Sequence, residues 1–330
     1  MSKQHTNAIV IHETGAPDVL CWEQVPLPEP GPGQVLVRHT AVGFNMIDTY
    51  IRKGLYPAEL PLVPGGEAAG VVEEVAGTDT GLAPGDRVAY VARPGTNGAY
   101  CERRVMNAGD LVRVPDGITD EQAAASLLKG LTAWVLLHRT WRLQAGETIL
   151  VYAAAGGVGT ILCQWAASIG ARVIGVVGSD KKIAIARDNG CAEVINRSTM
   201  DIAATVRELT GGKGVPVVYD SLGKDTFEIS LDCLQPTGLM VSYGNATGPV
   251  PPVNILDLMR RGSLFLTRPQ FFHYIRDRQD LQQGVDALFK VITAGVVNIH
   301  VGSRFPLNQA REVHLAAESA GTIGATVMIP

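Results

Sequence analysis

Residues 148–170 read TILVYAAAGGVGTILCQWAASIG. From Thr148 to Ala171 the chain carries no charge, a length that would suit a membrane span. Gly156, Gly157 and Gly159 break it, and it divides into an apolar β-type run (TILVY), a glycine turn (AAAGGVG, 153–159) and a helical run (TILCQWAASIG). The pattern predicts a buried strand, turn and helix of a parallel sheet rather than a membrane element. At such a turn the amides that open the helix point at an anion, and the missing Cβ atoms let a pyrophosphate approach. Ala155, Gly156, Gly157 and Val158 are therefore the candidate dinucleotide-binding residues.

Downstream of the turn, short apolar runs alternate with helical segments. ETILVY, ARVIGVV, AEVIN, PVVYDS, GLMVSYG and GSLFLT are the runs, and DKKIAIARDNG and DTFEISLDCL are two of the helices between them. This predicts a doubly wound α/β domain over 126–266, with ligands bound at the carboxyl ends of its strands. The first 125 residues differ in texture. NAIVIHETG, GQVLVRHTAVG, AAGVVEEVAG and GDRVAYVARPG are β-type runs broken by Gly and Pro, which predicts a loop-rich β domain. PLPEPGPG (26–33) reads as an extended connection into the next strand. Thr119 followed by Gln122 is a capping box that opens a long helix. In the tail, Leu281, Val285, Leu288, Phe289 and Ile292 share one helical face, and a second helix near Asn308 precedes a closing strand, ATVMI. Residues 267–330 are expected to return to the N-terminal β domain, because the α/β domain is already complete without them.

The end of the second α/β strand bears on which dinucleotide is bound. An acid there would hold the ribose 2′-hydroxyl of NAD and repel the 2′-phosphate of NADP. The chain reads ARVIGVVGSDKK, with apolar Val177 at the acid position, then Gly178, Ser179 and Lys182, and Arg197 after the third strand. A hydroxyl and cations around a small-residue turn suit a phosphate dianion, which predicts NADPH. Asp180 is the competing acid, three residues late.

Composition narrows the class. The 330 residues carry 28 Lys plus Arg against 32 Asp plus Glu, with pI near 6.0 and no run of five like charges. No nucleic-acid or anionic-membrane surface is advertised. The five cysteines, Cys21, Cys101, Cys163, Cys191 and Cys233, lie far apart with no C-x-x-C pair, and read as reduced thiols of a cytoplasmic protein. The start, MSKQHTNAIV, lacks the features of a secretory signal.

Several longer stretches carry a resemblance over essentially the whole chain: GFNMIDTYIRKGLYP (43–57), PGGEAAGVV (64–72), PGDRV (84–88), EQAAASLLKGLTAW (121–134), AAAGGVG, VVYDSLG (217–223) and GLMVSYGN (238–245). The chain resembles the bacterial NADPH:quinone oxidoreductases, relatives of zeta-crystallin in the zinc-free branch of the medium-chain dehydrogenase/reductase superfamily. The resemblance implies a GroES-like β-rich domain beside a Rossmann-type domain, and reduction of a quinone by hydride transfer from NADPH. In the alcohol-dehydrogenase branch a Cys and the His of a G-H-E triplet hold zinc. The corresponding positions here are Asn45 and Gly66, with Glu67 left alone, so no catalytic metal is expected.

By the same resemblance Asn45, Tyr50, Tyr56 and Lys129 would line a cleft against the nicotinamide and quinone. Asn45, Thr132, Ser221, Tyr243, Gly244 and Asn245 would contact the cofactor. Asp48 reads as a brace of its turn rather than a proton donor, and neither His39 nor His138 is assigned a role. Two departures stand out. The relatives' cofactor-contacting arginine near the C-terminus has no counterpart in ESAGTIGATVMIP, and Arg197 stands where they commonly carry tyrosine. The resemblance also implies a homodimer through the cofactor domain, whose late strands would otherwise leave an apolar sheet edge uncovered. The alternatives are reduction of the C=C bond of α,β-unsaturated carbonyls, which uses the same hydride geometry, and a non-catalytic RNA-binding or structural role.

Overall fold

In a computed structural model of the chain, which describes residues 4–77, 80–93, 95–319 and 322–330, Thr148–Tyr152 is a strand and Gly157–Ile169 a helix. The strand is short because Ala153 turns the backbone into the left-handed region at φ 49°, and the helix ends at Gly170 with φ 96°. No helix among the described residues is long and apolar enough to cross a membrane.

The chain divides into two compact units: Met1–Leu131 with Asp277–Thr293 and Ile299–Pro330, and Thr132–Arg276 with Ala294–Asn298. Sequence reading puts the joins at 125/126 and 266/267. The first unit boundary, at 131/132, falls in the same helix as the first of these joins, Asp120–Val135, which the capping box of Thr119 and Gln122 opens through bonds of 3.0 and 3.1 Å.

The second unit holds six parallel strands in the spatial order Cys191–Asn196, Arg172–Val177, Thr148–Tyr152, Val215–Asp220, Leu234–Ser242, Phe265–Thr267. This is the doubly wound order, in which successive strands are added first on one side of Thr148–Tyr152 and then, from Val215–Asp220 on, on the other. The central strands are buried on both faces, and Leu150, Ile174, Val218 and Met240 lie in one core with Phe227 and Leu231.

The first unit is built on a seven-stranded sheet. Its path runs Val301–Pro306, Ala325–Ile329, Gln34–Gly43, Glu67–Val75, Arg87–Val91, Val112–Arg113, with Arg103–Asn107 also paired to Gln34–Gly43. The tail strand runs antiparallel to the end of Gln34–Gly43, Val327 opposite Gly43, and the Phe44 amide donates to Thr326 at 3.1 Å. A short helix, Met46–Arg52, begins immediately after this pairing. The tail thus fixes where that helix starts. The helix Arg278–Thr293 buries Val285, Leu288 and Phe289.

Candidate functional site

In the second unit the candidate cofactor residues gather at the carboxyl ends of the parallel strands. Gly156 is the N-cap of the helix after the first strand, in extended backbone (φ −87°, ψ 177°). Gly159 packs that helix onto the turn, since a Cβ there would come within 2.2 Å of the Ala153 carbonyl oxygen. Val177 and Asn196 are paired neighbours, and the Arg197 amide donates to the Val177 carbonyl at 3.0 Å. The Arg197 side chain stands over Gly178, its Nε 3.7 Å from where a Cβ would lie. Ser179 caps the turn Asp180–Lys182, and partial burial lowers the Lys182 pKa. Gly178, Ser179, Lys182 and Arg197 are thereby brought together. The competing acid is already engaged within this cluster, as the Asp180 carboxylate accepts from Asn196 Nδ2 at 2.7 Å.

Ser221, Tyr243, Gly244 and Asn245 cluster at the ends of the fourth and fifth strands. The Tyr243 amide donates to Asp220, and a Cβ on Gly244 would meet the Ser221 carbonyl oxygen at 2.2 Å. Arg268, which sequence reasoning missed, secures this end by donating from Nη1 to the carbonyls of Ser242 (3.1 Å) and Gly244 (2.8 Å). The Gly156 amide donates within the turn to the Ala153 carbonyl at 2.8 Å, so it is the first-turn amides from Gly157 onward, with the small residues at 178 and 244 and the cations at 182 and 197, that make a set fitting a phosphorylated dinucleotide.

In the first unit the centre is Glu67, fully buried. Its Oε1 accepts from Lys129 Nζ at 2.6 Å and from Asn45 Nδ2 at 2.9 Å, and its Oε2 accepts from the Leu128 amide at 2.6 Å. Asn45 and Lys129, 84 positions apart by their numbers, are thus joined through one carboxylate. Gly43 allows the approach, because a Cβ there would come within 2.6 Å of Glu67 and 2.0 Å of the Ala124 carbonyl. Sequence reading took Glu67 as the remnant of a metal triplet. Its signal was a lone charge in GGEAAGVV matched by a lone opposite charge, Lys129, in AAASLLKGLTAW.

Asp48 braces the turn: its Oδ2 accepts the Asn45 amide at 3.0 Å, which leaves the Asn45 carboxamide for Glu67. Burial raises the Asp48 pKa to about 7, against the bonds from Asn45 and Tyr100 that lower it. Tyr50 is buried and Tyr56 half-buried, their rings edge to face at 5.6 Å.

Zinc does not fit here. Both Glu67 oxygens already receive hydrogen-bond donors, one of them an ammonium where a metal would put its charge, and among the described residues no three His, Cys, Asp or Glu side chains group as a metal would need.

Comparison with known proteins agrees with both halves. The alcohol dehydrogenase GroES-like domain model matches residues 31–116, and the zinc-binding dehydrogenase model matches 157–294. The chain is 49% identical to the quinone oxidoreductase of Pseudomonas aeruginosa over 96% of its own length and 97% of that protein's. It is 46% identical to a 2-haloacrylate reductase of Burkholderia sp, covering 98% of each. The structure of Escherichia coli quinone oxidoreductase complexed with NADPH superposes with a TM-score of 0.95 at 43% identity, over 98% of this chain and 100% of that one. A chain with both domain models, this strand order and full-length identity at this level belongs to the zeta-crystallin-like quinone oxidoreductases of the medium-chain dehydrogenase/reductase superfamily.

Proposed function

We propose that this chain reduces quinones with NADPH, without a metal. The observation that carries the reading is the identity of 43–49% to curated quinone oxidoreductases over 96–98% of the chain. NADPH, when bound, supplies the hydride, and a quinone is a strong enough acceptor that orientation can replace Lewis-acid activation. The second unit is the cofactor domain. Ala155, Gly156, Gly157 and Val158 hold the pyrophosphate, and Ser179, Lys182 and Arg197 the 2′-phosphate across the opening left by Gly178. Thr132, Ser221, Tyr243, Gly244 and Asn245 complete that set. In the first unit Lys129 and Asn45, both held by Glu67, present donors to a quinone oxygen, and Tyr50 and Tyr56 form an aromatic wall. The hydroquinone takes its proton from water.

A specific observation favours a second substrate class: a 2-haloacrylate is an electron-poor alkene, and a relative at 46% identity bears the name of its reductase. Anaerobic NADPH consumption with 1,4-benzoquinone, a small enone and 2-chloroacrylate separates the two. The quinone is expected to be fastest by kcat/KM, and a faster alkene would reverse the assignment.

The assembly is proposed as a homodimer through the sixth strand of the cofactor domain. That strand is a sheet edge, Phe265 is 62% exposed, and Ile255 and Met259 on the preceding helix are 75% and 60% exposed. Sedimentation is expected to give twice the chain mass, reduced to one by Phe265→Glu with Met259→Glu. A monomeric wild type at micromolar concentration would remove the proposal.

A further inference from the structure

Behind Asn45 lies a buried polar cluster that the reaction as described does not use. Asp48, Arg52, Tyr100 and His314 are each at most 1% exposed. Tyr100 Oη donates to Asp48 Oδ2 at 3.0 Å and lies 3.3 Å from His314 Nε2. His314 comes from the helix Ala310–Glu318, whose far end carries Glu318, paired with Arg52 and, at 3.2 Å, with Lys53. Two ties therefore join the tail helix to the Met46–Arg52 helix. Among the described residues Asp48 Oδ1, His314 Nδ1 and the Nε and Nη1 of Arg52 have no hydrogen-bond partner, and on that side the Tyr100 hydroxyl is what donates to Asp48.

The capping box that opens this helix explains why Asp48 matters. Asn45 is the N-cap and Asp48 lies three residues on; the Asn45 side chain turns back to the Asp48 amide, and the Asp48 carboxylate accepts the Asn45 amide at 3.0 Å. With its oxygen turned to the helix, the Asn45 carboxamide donates from Nδ2 to Glu67. We propose that Tyr100 and His314 are positioning residues for the reduction: they hold the Asp48 carboxylate on the Asn45 amide, and through it keep the Asn45 carboxamide on Glu67 beside Lys129. The proposal rests on the quinone-reductase reading for its kinetic consequence but not for its structural one.

Ionisation offers a handle. Asp48 faces Tyr100 and, through it, His314, together with Lys129 from the Asp120–Val135 helix, Glu67 from the sheet and Arg52 on its own helix. Burial raises its pKa to about 7, and the Tyr100 bond opposes the rise. A neutral carboxyl accepts the Asn45 amide less strongly than a carboxylate does.

The test compares wild type, Tyr100→Phe, His314→Gln and Asp48→Asn, with Tyr90→Phe as the control. Tyr90 is equally buried in the same unit but bonds His39. Two readouts are taken from pH 6 to 8.5: hydrogen exchange of the 44–52 segment by mass spectrometry, and kcat and KM for the quinone. Tyr100→Phe is expected to speed exchange of 44–52 and to move the acidic limb of kcat/KM upward by about half a pH unit or more, since a bond that favours the carboxylate is lost. KM is expected to rise several-fold at pH 6.5 and less at pH 8.5. His314→Gln should move the same readouts in the same direction by less, and Asp48→Asn should abolish the pH dependence of the protection factors in 44–52, that is, of exchange corrected for its intrinsic base catalysis. Exchange and limb unchanged in Tyr100→Phe, or changed equally in Tyr90→Phe, overturns the proposal. Faster exchange with an unmoved kinetic profile overturns it too, since the brace would then be mere scaffold. If Tyr100→Phe does not fold, Asp48→Asn decides by the same two readouts. A wild type inactive on quinones and alkenes would defeat the functional reading while the exchange data still judged the brace.

Discussion

At the residue scale the chemistry turns on one carboxylate. Glu67 and Lys129 form an ion pair with side chains 0% and 6% exposed, and such a pair is costly to break from one side because the remaining charge is buried without compensation. Glu67→Gln is expected to lower stability by about 3–5 kcal/mol, and adding Lys129→Met to recover a large part of it, in denaturant titrations of the four members of the cycle. Activity should stay low in the double variant if Lys129 is the donor proposed for the quinone, even where the fold is restored. On the cofactor side, Lys182→Ala with Arg197→Ala is expected to weaken NADPH by a factor on the order of 10² and leave NADH nearly unchanged, since the role proposed for those cations is with the 2′-phosphate that NADH lacks. Dissociation constants for both cofactors at matched ionic strength check this, and equal losses would mean that the two residues support the fold instead.

At the scale of elements, the turn and helix at 153–169 separate two uses of glycine that sequence alone merges. Gly159 is a packing glycine, with the backbone of Ala153 and Ala154 within 2.9 Å of where a Cβ would stand. Gly156 has ordinary extended dihedrals, and the Ala153 oxygen, 3.1 Å from where a Cβ would stand, has to give by only a few tenths of an ångström, far less than at Gly159, whereas a methyl group there stands in the path of the proposed pyrophosphate. Gly159→Ala is therefore expected to cost about 2–3 kcal/mol of stability, as overpacking against backbone does. Gly156→Ala should keep the melting temperature within a few degrees and lose at least tenfold in NADPH affinity, a gap of about 1.4 kcal/mol in binding. Thermal melts and cofactor titrations of the two variants would show opposite patterns, and a shared pattern would refute the division.

Over the whole molecule, buried titratable groups set how stability responds to acid. His39 is 2% exposed, its Nδ1 donating to the Cys101 carbonyl at 2.7 Å and its Nε2 accepting from Tyr90 Oη at 3.0 Å, and burial lowers its pKa to about 4. The unfolded chain takes up that proton near pH 6.5 and the folded one near 4, so the stability this group contributes is complete above about 6.5 and is lost as pH falls toward 4, about 3 kcal/mol in all. His314, lowered to about 3 by burial and by Arg52 and Lys53, adds a loss of the same sign. Asp48 runs the other way: raised to about 7 from 3.8, its contribution is present at low pH and is lost as pH rises through 7. The advantage of wild type over His39→Gln is accordingly expected to shrink by about 2–3 kcal/mol between pH 7 and pH 4.5 in urea titrations, and a constant difference would mean that His39 is not held neutral.

What the amino-acid order determined by itself is local. AAAGGVG between an apolar run and a helical run specifies a strand, a tight turn and a helix, because glycine geometry and side-chain periodicity act over a few residues. Six such apolar runs then imply a doubly wound sheet, which the structure has in that order. The cation cluster at Gly178, Ser179, Lys182 and Arg197 was legible for the same reason, lying at the ends of two consecutive strands that parallel pairing places side by side. Tertiary structure alone decided that Glu67 binds Asn45 and Lys129, that Arg268 locks the Ser242–Gly244 backbone, and that Tyr100 and His314, 214 positions apart, close on Asp48. Each of those contacts joins groups far apart in the chain, and only the lone charges of Glu67 and Lys129 left a mark in the sequence. The groups meet because strand pairing, including that of the tail strand Ala325–Ile329 with Gln34–Gly43 in the first unit, brings distant segments together and burial penalises any polar group left alone, and both conditions exist only once the sheets have formed.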